Sequence, residues 1–190
     1  MDDRQKNLLR AVIETYLVTA QPVGSLLLAD RFDFDLSPAT IRNELLELEA
    51  SGYIAQPHTS AGRIPTVKGL RYYLDELMPE IRLNERFDNL MADYRNQWGL
   101  RGLARVLAEI SDSAVVIGSD LSDYYYTGFS RLLAQPEFSD LDLVRSLSQS
   151  VDHLDQVLPK LFGKLSEEPT VFLGRGNPFG QSCSAMFISN

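Results

Sequence analysis

Cysteine, histidine and tryptophan are scarce in this chain, and positive charge is in deficit. The single Cys183 excludes an intramolecular disulfide, so the fold must rest on burial and suits a reducing cytoplasm. His58 and His153 are the only histidines, too few with one cysteine for a Cys/His zinc site within one chain, and no cofactor is implied. No segment approaches the roughly eighteen apolar residues of a membrane span. The start, Met1-Asp2-Asp3-Arg4, is polar and leads into an amphipathic stretch, so no signal peptide is expected. Low-complexity tracts are absent. With 190 residues, 44% hydrophobic and 23% charged, whole-chain disorder is excluded and there is room for one medium or two small domains. Lys and Arg number 18 against 26 Asp and Glu, a net charge of −8, which by itself argues against a partner covered in phosphates.

What the chain does carry is periodic apolar patterning. From Gln5 to Thr19, Leu8, Leu9, Val12, Ile13, Tyr16 and Leu17 recur at three- and four-residue steps, one stripe of an amphipathic helix. Gln21-Pro22-Val23-Gly24 breaks it, and Ser25 is the expected N-cap of a short second helix ending before Asp33. Ser37-Pro38 opens a third helix that runs to about Ala50, with a side-chain acceptor at the N-cap and a proline at N1, where its missing N–H costs nothing. On it Ile41, Leu45 and Leu48 should face the core, leaving Ala39, Thr40, Arg42, Asn43 and Glu47 partly or wholly outward. Gly52 stops that helix, Tyr53-Ile54-Ala55 reads as a short strand, and Ile64-Pro65 as the end of a returning strand. Thr66 then caps a fourth helix carrying Leu70, Tyr73, Leu74 and Leu77, stopped by Pro79. Helix, helix, helix, hairpin, helix is the order of a winged helix-turn-helix.

A charged helical stretch from Glu80 to Trp98 reads as a connecting helix, followed by a helix from about Leu100 to Ser111 and a strand from Ala114 to Gly118. The aromatic run Tyr124-Tyr125-Tyr126 comes next. Beyond Pro136-Glu137-Phe138, one long helix is expected from Asp140 to Phe162, then strands at Thr170–Leu173 and around Ala185–Ile188, separated by the loop Gly174–Gly180.

The chemistry this arrangement offers is DNA reading. A helix fits the major groove, and its N-terminal residues reach base edges, so the tip needs short polar or methyl-bearing side chains and one or two forks. Ala39 and the Thr40 methyl suit a thymine methyl, Asn43 suits adenine in a bidentate pair, and Arg42 suits guanine or a phosphate. Ser37 caps the helix within reach of a phosphate. The hairpin loop adds His58, Thr59, Ser60 and Arg63, with Gly62 allowing close backbone approach. Lys68, Arg71 and Tyr72, near the start of the fourth helix, suit the DNA backbone. The competing reading is that these polar residues are only the solvated face of a core helix and a surface turn.

The run SPATIRNELLELEASGYIAQPHTSAGRIPTVKGLRYYLDELM, Ser37 to Met78, closely resembles the DNA-binding domain of HrcA, the heat-inducible transcription repressor of bacteria. The likeness extends back through ETYLVTAQPVGS, Glu14 to Ser25, and returns more thinly in LLAQPEFSDLDLV, Leu132 to Val144, and GNPF, Gly176 to Phe179. These last pieces look like the family's GAF-like C-terminal domain. The resemblance implies a homodimeric repressor that binds an inverted-repeat operator upstream of chaperone genes and is sustained by the GroEL chaperonin. The chain departs from the family in two places. Between Ser119 and Tyr126 there is no room for the family's intervening strands and inserted dimerisation domain, and the chain stops at Asn190, where the family continues with another strand and helix. It reads as either a reduced homologue or a fragment.

The expected architecture is therefore mainly α with α+β: a winged-helix DNA-binding domain over 1–78, a connecting helix over 79–99, and a reduced or incomplete GAF-like regulatory or dimerisation domain over 100–190. No catalytic site is expected. Gly174-Arg175-Gly176-Asn177-Pro178-Phe179-Gly180 lacks the spacing and the following helix of a dinucleotide fingerprint. Cys183 has no neighbouring histidine, and the acidic Asp140, Asp142, Asp152 and Asp155 read as a solvated helix face. A protein-interaction module using the same helices without reading DNA is the alternative. Residues 1–78 hold eight Lys and Arg against eleven Asp and Glu, yet from Ser51 to Leu74 there are three basic residues and no acidic one. The expected electrostatic footprint on DNA is small.

Overall fold

The apolar stripe of the first segment becomes helix α1 (Asp3–Thr19), capped by the Asp2 carboxylate, which accepts from the Gln5 N–H. The structure is a computed structural model and describes residues 1–58, 62–79, 85–118, 123–162, 169–180 and 184–187. Cys183 lies outside the described residues. The chain divides into two compact units, Met1–Glu80 and Ile81–Asn190.

In the first unit, α2 (Ser25–Arg31) starts one residue before the expected position. Gly24 is the N-cap, because its carbonyl already accepts from the Leu28 N–H, and Ser25 is the first helical residue. Helix α3 (Pro38–Ala50) begins as the Ser37-Pro38 pair dictates. Gly52, at φ +76, ends it in the left-handed conformation that glycine tolerates, with the Tyr53 N–H returning to the Leu48 carbonyl. Strands β1 (Ile54–Ala55) and β2 (Ile64–Pro65) pair antiparallel, Ile54 with Pro65 and Ala55 with Ile64. Helix α4 (Val67–Tyr72) starts at Thr66, whose hydroxyl accepts from the Gly69 N–H, and passes into a π-helical turn, Tyr73–Leu77. Leu8, Leu9, Val12 and Ile13 of α1, Val23, Leu28 of α2, Ile41, Leu45 and Leu48 of α3, and Ile54 of β1 form one buried core. The outward face of α3 is thus fixed by what its inward face packs against.

In the second unit, α5 (Glu85–Ser111) takes in the expected connecting helix from Glu85 to Trp98, its start at 80–84 lying outside the described residues, and the helix after it, with a non-helical Gly99 between. Strands β3 (Val115–Gly118) and β4 (Tyr124–Thr127) pair antiparallel, so the tyrosine run is a strand. Helix α6 (Phe129–Leu133) and a 3₁₀ turn at Pro136–Ser139 follow. The single helix expected from Asp140 to Phe162 is in fact two, α7 (Leu141–Asp152) and α8 (Leu154–Phe162). His153 leaves helical geometry, and its carbonyl opens α8 by accepting from the Gln156 and Val157 N–H groups. Strands β5 (Thr170–Leu173) and β6 (Ser184–Phe187) pair antiparallel. Leu154, Leu158 and Leu161 of α8 pack with Val116, Tyr124, Phe179 and Phe187. In the glycine-rich loop the buried Asn177 side chain accepts from the Phe179 N–H, and the Phe179 ring stacks on Phe187. That loop serves as a fastener onto β6.

Candidate nucleic-acid interface

Helix α3 presents one face of its first two turns to solvent. The Ser37 hydroxyl accepts from the Thr40 N–H at 3.1 Å and lies 2.9 Å from the Thr40 hydroxyl, which leaves Thr40 half-buried beside its cap. Ser37, Ala39, Arg42 and Asn43 are exposed. Among the described residues, neither Arg42 nor Asn43 makes a side-chain hydrogen bond, and Arg42 has no ion pair. One turn further along the same face stands Leu46, 46% exposed. The tip therefore offers a guanidinium, a carboxamide and small apolar groups held on a rigid, capped helix.

The other expected contacts are distributed differently. His58 is exposed on the hairpin loop, while Thr59 and Ser60 lie outside the described residues. Arg63 departs most from expectation. Its guanidinium is only 12% exposed and pairs with the Glu49 carboxylate at 2.8 Å, so it is committed inside the fold. Its backbone exchanges two 2.8 Å hydrogen bonds with Val23, which draws the connection between α1 and α2 against the hairpin. Gly62 lies so close to Val23 that a Cβ there would meet its carbonyl group. The close approach expected of Gly62 is thus made to the protein's own backbone.

Lys68 stays exposed, but its ammonium donates to the Ser51 carbonyl at 2.7 Å and sits 4.3 Å above the Tyr53 ring. A cation beside the last carbonyls of α3 also complements the helix dipole. Arg71 is exposed on α4, whereas Tyr72 is half-buried with its ring edge-on to Tyr53. The structure thus brings Arg42 and Asn43 together on one face, places Lys68 beside the C-terminus of α3, and turns Arg63 inward.

Sequence reasoning missed Glu49. Its Oε1 accepts from the Gln56 N–H at 3.1 Å while its Oε2 takes Arg63. A signal was present: Glu44, Glu47 and Glu49 stand in the second half of α3, where acidic groups oppose the helix dipole. Each carboxylate has a tertiary partner. Glu44 is buried against Arg4, Glu47 accepts from the Gln5 amide, and Glu49 takes Arg63.

A family model described as the HrcA protein C terminal domain matches residues 64–189. The chain belongs to the HrcA family. The match starts at β2 of the first unit and runs through the second. Relatives called heat-inducible transcription repressor HrcA include one from Symbiobacterium thermophilum, 56% identical over 84 residues, covering 44% of this chain and 25% of that protein. The HrcA of Desulforudis audaxviator is 42% identical over 125 residues, 65% of this chain and 35% of its own length. That of Pelotomaculum thermopropionicum is 38% identical over 144 residues, 76% and 40%. This chain thus spans from a quarter to two fifths of the length of these HrcA relatives. A crystal structure of a hypothetical protein shares the fold, with a TM-score of 0.63 at 22% identity, over 98% of this chain and 84% of that one.

Proposed function

We propose that residues 1–78 form a winged helix-turn-helix that reads double-stranded DNA, and that the chain is a sequence-specific transcriptional repressor of the HrcA type with no catalytic site. The observation that carries this reading is the tip of α3. Arg42 and Asn43 project from a helix whose opposite face is buried, and among the described residues neither side chain is hydrogen-bonded into the fold. Side chains of that shape match the donor and acceptor edges of guanine and adenine in the major groove. Ala39 and Thr40 complete the base-facing tip, Ser37 caps it, and Lys68 and Arg71 flank it for the phosphates.

An inverted-repeat operator demands a two-fold protein, so the working form is a homodimer built through the connecting helix over 79–99 or the regulatory domain over 100–190. Family resemblance extends the reading to operators upstream of chaperone genes, to GroEL as the partner that sustains repression, and to the cytoplasm as the place of action. With Arg63 engaged by Glu49, one fewer cation faces the phosphates, which gives a shallow salt dependence and heavy reliance on base contacts.

Selection of bound DNA from a random pool at two salt concentrations tests the reading. An enriched inverted repeat is expected, and Asn43→Ala should then cost about 1 to 3 kcal/mol and relax the preference at one base pair. The exposed Leu46, on the face of Arg42 and Asn43, favours the second reading, a protein-interaction module. A pool that shows no enrichment supports that reading over DNA.

A further inference from the structure

Glu49 occupies an unusual place for a carboxylate. It stands in the last turn of α3, yet its two oxygens reach the two ends of the hairpin loop. Oε1 accepts from the backbone N–H of Gln56, just after β1, at 3.1 Å, and Oε2 pairs with the Arg63 guanidinium, just before β2, at 2.8 Å. Arg63 is tied at the same time through its backbone to Val23, by two 2.8 Å hydrogen bonds. Among the described residues its Nε is buried with no hydrogen-bond partner, and the contact that holds the guanidinium out of water is the one to Glu49. Arg63 is the expected phosphate ligand of the loop, and the fold uses it for something else.

We propose that Glu49 is the positioning residue of the wing. Through Gln56 and Arg63 it locks both ends of the hairpin loop to the helix that reads the bases, so that wing and helix meet DNA as one body. This rests on the DNA-reading function proposed above. A loop whose ends are free must be ordered when it binds, and that ordering weakens affinity. A loop already held by a carboxylate on the reading helix avoids that loss. Glu49 never touches DNA and acts only through Arg63 and the Gln56 amide.

The proposal makes a prediction of opposite sign to simple electrostatics. Glu49→Gln removes a negative charge near a polyanion and frees Arg63 to reach a phosphate, so charge alone predicts tighter binding. The lock predicts weaker binding, because the amide presents one acceptor and one donor to two donors. The experiment measures binding of the full-length chain, wild type and Glu49→Gln, to double-stranded DNA enriched from a random pool by the wild-type chain, at two salt concentrations. Expected are a roughly tenfold loss of affinity, the scale of one charge-assisted hydrogen bond, and a salt slope that does not flatten. Hydroxyl-radical protection should fade at the flanks that the wing covers and persist over the bases read by α3. Arg63→Lys, which keeps the charge but loses the fork, should show the same pattern, and in both variants exchange of the Gln56 or neighbouring loop amides should quicken in the free protein.

Equal or tighter binding by Glu49→Gln, with unchanged exchange at Gln56, overturns the lock. A flattened salt slope in Arg63→Gln, which removes the charge, also overturns it, since that would make Arg63 a phosphate ligand. Should the wild-type chain enrich no DNA at all, the DNA reading fails and the wing has nothing to be positioned for, whereas slower exchange at Gln56 in wild type than in Glu49→Gln would still record the contact itself.

Discussion

Gly69, in the first turn of α4, packs directly against the backbone of Tyr53, and replacing it with alanine opposes two effects of known size. In a helix, Gly→Ala ordinarily stabilises by about 1 kcal/mol. Here the new Cβ would lie 2.1 Å from the Tyr53 carbonyl oxygen and 3.1 Å from its carbon, where ordinary contact begins at 3.4 Å. Both partners are backbone, so neither can swing away, and α4 must retreat from Tyr53 by more than an ångström. That retreat stretches the 3.0 Å bond from the Thr66 N–H to the same carbonyl and the Thr66 hydroxyl contacts with Gly52 and Tyr53. Overpacking of this kind costs about 3 kcal/mol and the strained hydrogen bond about 1 more, so after the propensity gain the net loss is about 3 kcal/mol. For a unit of this size the corresponding drop in melting midpoint is roughly 15 °C. The assay is thermal and urea unfolding of the full chain followed by helical circular dichroism, with Gly24→Ala as the control. A Cβ at Gly24 meets nothing within 4 Å, and as an N-cap substitution it should cost no more than about 1 kcal/mol. A midpoint for Gly69→Ala equal to or above wild type would refute the close-packing argument.

Ser37→Ala removes the acceptor for the Thr40 N–H on an exposed cap and should cost about 1 kcal/mol in urea unfolding, while Ser37→Asp restores the cap. Lys68→Ala loses an exposed contact to the Ser51 carbonyl and the Tyr53 ring, so it should cost less than about 1 kcal/mol of stability; as a phosphate ligand it should also flatten the salt slope of DNA binding by about one unit. The Tyr73 phenol is raised above its ordinary 10.0, first by burial and then by the Glu14 carboxylate it faces. The folded state therefore keeps a proton that the unfolded chain gives up, so the stability Tyr73 contributes is fully present below about pH 10 and is lost as pH climbs toward the higher folded value. Urea midpoints for wild type should fall as pH rises above about 10, and Tyr73→Phe should fall less; an equal fall in both would refute the assignment.

Local chemistry alone determined much of this molecule. The Ser37-Pro38 cap, the buried face of Ile41, Leu45 and Leu48, the glycine stop at Gly52 and the Thr66 cap each depend on neighbours within a few residues, and each stands where the pattern places it. The tip of α3 was legible for the same reason, since the buried side of a helix dictates its exposed side. Two helical boundaries were not. Gly24 rather than Ser25 caps α2, because a carbonyl reaching Leu28 decides the first turn, and His153 divides α7 from α8 inside a stretch whose composition reads as one helix. Arg63 is the sharpest case. In the sequence it is a cation on a polar loop with no acidic residue from Ser51 to Leu74, which describes a phosphate ligand. Its partner Glu49 belongs to another element, and only the hairpin's return past Val23 brings the two within 2.8 Å. Capping and burial periodicity are short-range and can be read along the chain, but a charge takes its role from whatever the fold sets beside it, and that is decided only when distant segments pack.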